Sequence, residues 1–120
     1  AHLFLEKIKK HNAHCWLLNT GWSGKPAGEA DRIKIAYSRA MVRAILDGSL
    51  ERQKFTKDPL FGFLVPNACE GVPSELLDPR ISTSDIENYE KRAKKLTADF
   101  KENFRNFEKD VDSEVKKIML

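Results

Sequence analysis

Arg32, Ile33 and Ser38 stand where a short polar–apolar alternation, Arg32-Ile33-Lys34-Ile35, runs into a helix-forming stretch. A strand edge that feeds a helix start suits a nucleotide. Its backbone can read an adenine edge, an arginine can contact phosphate or stack on a base, and the helix start favours negative charge. The competing reading makes all three ordinary structural residues, because open sheets bind ligands at some strand ends and not at others. Just upstream, Gly21-Trp22-Ser23-Gly24-Lys25 invites comparison with a phosphate loop. The spacing excludes it. Such a loop needs a glycine, four residues and then Gly-Lys-Ser/Thr, whereas Gly24-Lys25 is followed by Pro26.

Other chemistry is weaker. His11, His14 and Cys15 lie close together, but only Cys69 could complete a set of four ligands, and it has no neighbouring donor. His14 and Cys15 would also point to opposite sides of a strand. A helix-end histidine and a buried thiol account for them, so no metal ligand is expected. No serine or cysteine stands at a motif spacing from a histidine, and no paired carboxylates suggest acid–base work, so no catalytic residue is expected either. Trp16 and Trp22 read as packing residues. Tyr89, Phe100, Phe104 and Phe107 form a docking stripe rather than a base-stacking platform. Lys91, Arg92, Lys94 and Lys95 share their helix with Glu87, Glu90 and Asp99, which reads as a solvated face.

The elements that position these residues follow from periodicity. Residues 2–11 place Leu3, Phe4, Leu5 and Ile8 on one helical face, and His11-Asn12 is a plausible stop. Residues 15–18 are a continuous apolar run of strand length, as in strands covered on both faces. Residues 22–28 are a loop, because two glycines and a proline punctuate them. Residues 32–35 read as a short half-buried strand. A helix starts at Tyr37 or Ser38, with Ser38 as its cap, carries Met41, Val42, Ile45 and Leu46 at helical spacing, and stops at Asp47-Gly48. Residues 54–58 read as a polar turn before Pro59. Residues 61–65 read as a strand that Pro66 confines to an edge or an end. Residues 66–80 read as an ordered loop with one helical turn at 74–77. Finally, Ile86, Tyr89, Ala93, Leu96, Phe100, Phe104 and Phe107 recur at three- and four-residue steps, a long amphipathic helix with capping oxygens at 82–85. Beyond Glu108 the charges thicken and the apolar pattern fades.

Composition bounds the whole. A chain of 120 residues is at most one small domain. With 41% hydrophobic and 32% charged residues it has a globular composition rather than a disordered one. A net charge of +3, with basic and acidic residues interleaved, gives no basic stripe for nucleic acid. No stretch approaches the roughly 20 apolar residues of a membrane span. Glu6, Lys7, Lys9 and Lys10 exclude a signal peptide at the start. Cys15, in an apolar run, is expected to be a reduced, buried thiol, and the chain to be cytoplasmic. It opens on Ala1 in mid-helix pattern without a methionine, so it is expected to be a piece of something longer.

Taken together, these anchors resemble a known family. Leu17-Leu18-Asn19-Thr20-Gly21-Trp22, then Arg32-Ile33, then Ser38-Arg39-Ala40 in a helix ending Ile45-Leu46-Asp47-Gly48-Ser49-Leu50, is similar to the C-terminal part of ATP-dependent phosphoenolpyruvate carboxykinases. The likeness continues through Asp58-Pro59-Leu60-Phe61-Gly62, Val65-Pro66, the run from Gly71 to Arg80 and the closing helix with Asn103-Phe104. The resemblance implies an enzyme that decarboxylates oxaloacetate and phosphorylates the enolate with ATP, giving phosphoenolpyruvate, CO2 and ADP. It implies Mg²⁺ with the nucleotide, Mn²⁺ at the protein, and a gluconeogenic role in the cytoplasm. The family's phosphate loop, metal ligands and oxaloacetate-binding arginines lie upstream of the matching segment. This segment would therefore contribute nucleotide-binding Arg32, Ile33 and Ser38, and would not catalyse alone. Ser38 stands where the family usually has threonine and keeps the hydroxyl; Asp31 stands where many members have a basic residue.

The expected architecture is an α/β (α+β) fragment: a small mixed sheet with packed helices and a long C-terminal amphipathic helix. Residues 1–120 would form the C-terminal part of a mononucleotide-binding domain. Its partners would be ATP, the rest of the parent polypeptide and, through upstream residues, oxaloacetate, with neither nucleic acid nor membrane. A second reading is a non-catalytic interaction domain that docks through its Phe-lined helix.

Overall fold

A computed structural model describes residues 2–23, 29, 31–111, 113, 115 and 116. The chain is a mixed α+β segment, as expected, but its sheet is smaller than the sequence suggests. Helix α1 spans His2–His11. It stops where Asn12 takes a left-handed φ of 47°, a conformation asparagine tolerates better than most residues, and the Ala13 N–H closes on the Ile8 carbonyl at 3.1 Å.

Residues 15–18 are extended but form no ladder among the described residues. They alternate. Trp16 and Leu18 turn onto the core, while Cys15 is exposed and Leu17 is 84% exposed. The expectation of a strand covered on both faces, with a buried Cys15, is therefore corrected. An apolar run marks what can be covered, and only one of these two faces is covered by the described residues.

Helix α2 spans Ile35–Leu46, so it begins three residues before the cap expected at Ser38. Lys34 is the N-cap, without a side-chain cap bond, and its carbonyl accepts the N–H groups of Tyr37 and Ser38. The alternation of 32–35 breaks because Ile35 is already helical and faces outward. Only the antiparallel bridge between Trp22 and Arg32 remains of the expected strand. Helix α2 buries Met41, four residues from half-buried Tyr37 and Ile45, and Ala44, four residues from half-buried Ala40. It ends at Gly48, whose φ of 72° is the left-handed helix stop that glycine adopts without strain. The returning Leu50, 4% exposed, donates its N–H to the Ala44 carbonyl at 3.0 Å.

Strands β1 (Phe55–Lys57) and β2 (Leu64–Pro66) form an antiparallel hairpin pairing Phe55 with Pro66, Thr56 with Val65 and Lys57 with Leu64. The polar turn expected over 54–58 is thus half of a ladder. The reversal comes one step later, where the Asp58 carboxylate accepts the N–H groups of Leu60 and Phe61 and Gly62 takes a φ of 74°. The strand expected over 61–65 is confined to 64–66, because 61–63 belong to the turn, and Pro66 stands at its end as expected. A tight turn then pairs Cys69 with Val72, Val72 N–H to Cys69 carbonyl at 3.0 Å, with Gly71 at a φ of 75°.

A 3₁₀ turn at Ser74–Leu76 matches the single helical turn expected there. Helix α3 (Pro79–Ser82) starts with proline at its first position and Asp78 as cap, its carboxylate accepting the Arg80 N–H at 2.9 Å. Helix α4 spans Ile86–Phe104, capped by Asp85 through the Asn88 N–H at 2.9 Å. A 3₁₀ turn at Glu108–Asp110 follows. One core collects Ile33, Met41, Ala44, Leu50, Cys69 and Val72, with Trp16, Leu18, Tyr37, Leu76 and Leu77 packed against it.

Candidate functional site

Asn19 organises the turn that leads to the site. Its Nδ2 donates to the Trp22 carbonyl at 2.8 Å, and its Oδ1 accepts the Gly21 N–H at 2.9 Å. The Gly21 carbonyl accepts the Ile33 N–H at 2.8 Å, and Trp22 lies opposite Arg32 in the antiparallel bridge. Residues directly opposed across such a bridge put their side chains on one face. Accordingly, the Arg32 guanidinium carbon lies 5.3 Å from the centroid of the Trp22 ring. Trp22 therefore supports a cation rather than the core packing expected of it. Beyond Trp22, the hydroxyls of Ser23 and Ser82 meet at 3.0 Å and tie the loop to the end of α3. The glycine loop at 24–28 lies outside the described residues.

The three predicted nucleotide residues separate into different environments. Arg32 is exposed, whereas Ile33 is 8% exposed and belongs to the core. Half-buried Ser38 lines a shallow cleft of about 290 Å³ with Leu18, Thr20, Arg39, Val42 and Arg43. That volume sits at the low end of the roughly 300–1,000 Å³ typical of small-ligand sites. Neither Arg32 nor Ile33 lines the cleft. Arg39 and Arg43 do, one helical turn apart, and neither has an ion-pair partner among the described residues. The sequence reading missed these two cations. The available signal was their four-residue spacing, which puts both on the face of α2 that also presents Ser38 and Val42.

A second cleft of about 410 Å³ lies between the hairpin and α3, with Lys57, Asp58, Asn67, Asp78 and Arg80 among its walls. Arg80 Nη2 donates to Glu90 Oε1 at 3.3 Å, while its buried Nε has no partner among the described residues. Burial, reinforced by the carboxylates of Asp58 and Asp78, pushes the Tyr89 phenol above its usual value; Arg80 partly offsets this. Tyr89 is therefore a neutral phenol at physiological pH.

Among the described residues, no group of three or more His, Cys, Asp and Glu side chains is placed to hold a metal ion. His14 Nδ1 instead meets Glu51 Oε1 at 2.5 Å, and Cys15 and Cys69 are free thiols. Among the described residues, no helix is long and apolar enough to cross a membrane.

A pinned turn thus aims Arg32 outward from an α+β segment, and α2 places the Ser38 hydroxyl on one cleft with Arg39 and Arg43. Residues 1–75 match the sequence model of the phosphoenolpyruvate carboxykinase family. The chain is 52% identical over 92% of its length to phosphoenolpyruvate carboxykinase (ATP) 1 of Moorella thermoacetica, and 49% identical over 94% to phosphoenolpyruvate carboxykinase (ATP) of Pelobacter propionicus. A Geobacter metallireducens protein of the same name is 44% identical over 99% of the chain. This chain belongs to the phosphoenolpyruvate carboxykinase family. It spans about a fifth of the length of these relatives, covering 21%, 21% and 22% of them respectively.

Proposed function

We propose that this chain is the base-end segment of the nucleotide site of an ATP-dependent phosphoenolpyruvate carboxykinase. Arg32 and Ile33 contact the adenine nucleotide, and the Ser38 hydroxyl hydrogen-bonds to it. The complete polypeptide converts oxaloacetate and ATP to phosphoenolpyruvate, ADP and CO2, as a gluconeogenic enzyme of the cytoplasm. Residues outside this chain handle the phosphates, oxaloacetate, Mg²⁺ and Mn²⁺. The observation that carries this reading is the family match over residues 1–75, a span that contains Arg32, Ile33 and Ser38. The exposure of Arg32 and the position of Ser38 on a cleft lined by Arg39 and Arg43, which have no ion-pair partner among the described residues, support it. The exposed Leu96, Phe100 and Phe107 fit the same reading, as the surface on which the rest of the polypeptide packs.

The test is kinetic. In the complete polypeptide, Arg32→Ala raises KM for ATP about tenfold or more, the size expected for a lost charge-assisted contact, and leaves KM for oxaloacetate unchanged. The 120-residue chain alone shows no turnover. An unchanged KM for ATP, or conversion by the isolated chain, contradicts the assignment.

A further inference from the structure

We infer that Trp22 and Asn19 are positioning residues for Arg32, forming a preassembled platform that presents the guanidinium to the nucleotide. This rests on the reading above, in which Arg32 contacts the nucleotide. Arg32 has a long, flexible side chain that is exposed. Left alone it would sample many rotamers, and ordering it would cost the ligand binding energy. Two observations show that it is not left alone. The indole of Trp22 lies under the guanidinium at 5.3 Å, within cation–π range. The backbone beneath is fixed by the Trp22–Arg32 bridge and the bond from Ile33 N–H to the Gly21 carbonyl.

Asn19 holds the backbone from which the indole projects. Its amide spans the turn from both sides, accepting from Gly21 N–H and donating to the Trp22 carbonyl. Asp31, the charged neighbour of Arg32, forms no ion pair with it among the described residues. A guanidinium backed by an indole, and without an ion-pair partner among the described residues, stays available to a ligand. It can then stack on a planar base or donate to an oxygen without reorganising. Trp22 and Asn19 touch no substrate; they act through Arg32.

The test uses the complete polypeptide and ATP. Trp22→Leu raises KM for ATP about three- to fivefold, the size expected of an exposed cation–π contact. It leaves kcat and KM for oxaloacetate within about twofold, and Trp22→Phe restores most of the loss. Asn19→Asp keeps the acceptor for Gly21 but removes the donor to Trp22, and gives the same pattern. In an Arg32→Ala background, Trp22→Leu adds nothing further to KM, because its effect passes through the missing guanidinium. Three results overturn the inference: an additive effect of Trp22→Leu in that background, a proportional fall of kcat in all variants, or an unchanged KM while Arg32→Ala raises it. If Arg32→Ala itself leaves KM for ATP unchanged, the nucleotide assignment fails. Melting temperatures of each variant separate a loss of folded protein from a loss of positioning.

Discussion

Arg32 and Ile33 are neighbours with opposite fates. In an extended segment, successive side chains point to opposite sides. Ile33 enters the core beside Met41, and Arg32 is thereby turned outward onto Trp22. The core contact of one residue fixes the aim of the next. The same logic separates the two thiols. Cys15 faces out from an extended segment, while Cys69 is buried under the Gly71 turn. Burial pushes the Cys69 thiol above its ordinary 9.0, with the carboxylates of Asp47 and Glu70 adding to the effect. Ellman's reagent at pH 8 should modify Cys15 rapidly and Cys69 only on unfolding. A rapid phase that survives Cys15→Ser would contradict this. Because the folded value of Cys69 is raised, the stability contributed by its neutral form is intact below about pH 9 and declines as pH climbs through the raised value.

Among the elements, α4 is the most cleanly encoded. Its apolar stripe repeats at helical spacing, its start is capped by Asp85, and Lys95 reaches Asp99 at 2.9 Å one turn on. The helix runs 19 residues to Phe104, about 28 Å, and stops short of Phe107. Asp85→Ala should destabilise the chain by about 1 kcal/mol in denaturant titration, and Asp85→Asn by much less, because asparagine also caps well. Equal losses for both would show that charge rather than capping matters. The hairpin is a different kind of element. Its strands are three residues each, and the register is set by Asp58, whose carboxylate gathers Leu60 and Phe61, and by the bond from Thr56 Oγ1 to Asn67 Oδ1 at 2.7 Å.

The molecule as a whole is more open than its length requires. Its radius of gyration is 16.1 Å, against about 13.6 Å for a compact 120-residue domain. Leu3, Phe4, Leu17, Leu46, Phe100 and Phe107 all remain exposed, and of α4 only Ala93 is buried. Large apolar side chains exposed in this number are the kind of surface an interface covers. If the rest of a carboxykinase polypeptide covers it, amide hydrogen exchange of α4 should be fast in the isolated chain and slow in the complete one. Equal protection in both forms would show that α4 needs no such cover.

By itself, the sequence determined α1, α2 and α4 as helices, the capping oxygens before α4 and the family, but not α3, which lies where a loop was expected. Those signals are local: the apolar spacing of residues 86–104, the oxygen of Asp85, and the order of anchors from Leu17 to Asn103. It also pointed to Arg32, Ile33 and Ser38 as candidate nucleotide contacts. It misjudged what depends on partners distant in the chain. Residues 15–18 carry strand-like apolarity, but whether a second face is covered depends on what packs there. Residues 54–58 are polar in composition, yet pairing with 64–66 makes a strand of them. Ser38 looked like a cap because serine caps well, but Lys34 had already begun the helix. Trp22 looked like core, and the bridge to Arg32 made it the support of a cation. Helix and cap formation need only neighbours within about four residues, whereas register, burial and the aim of a side chain depend on residues that folding alone brings together.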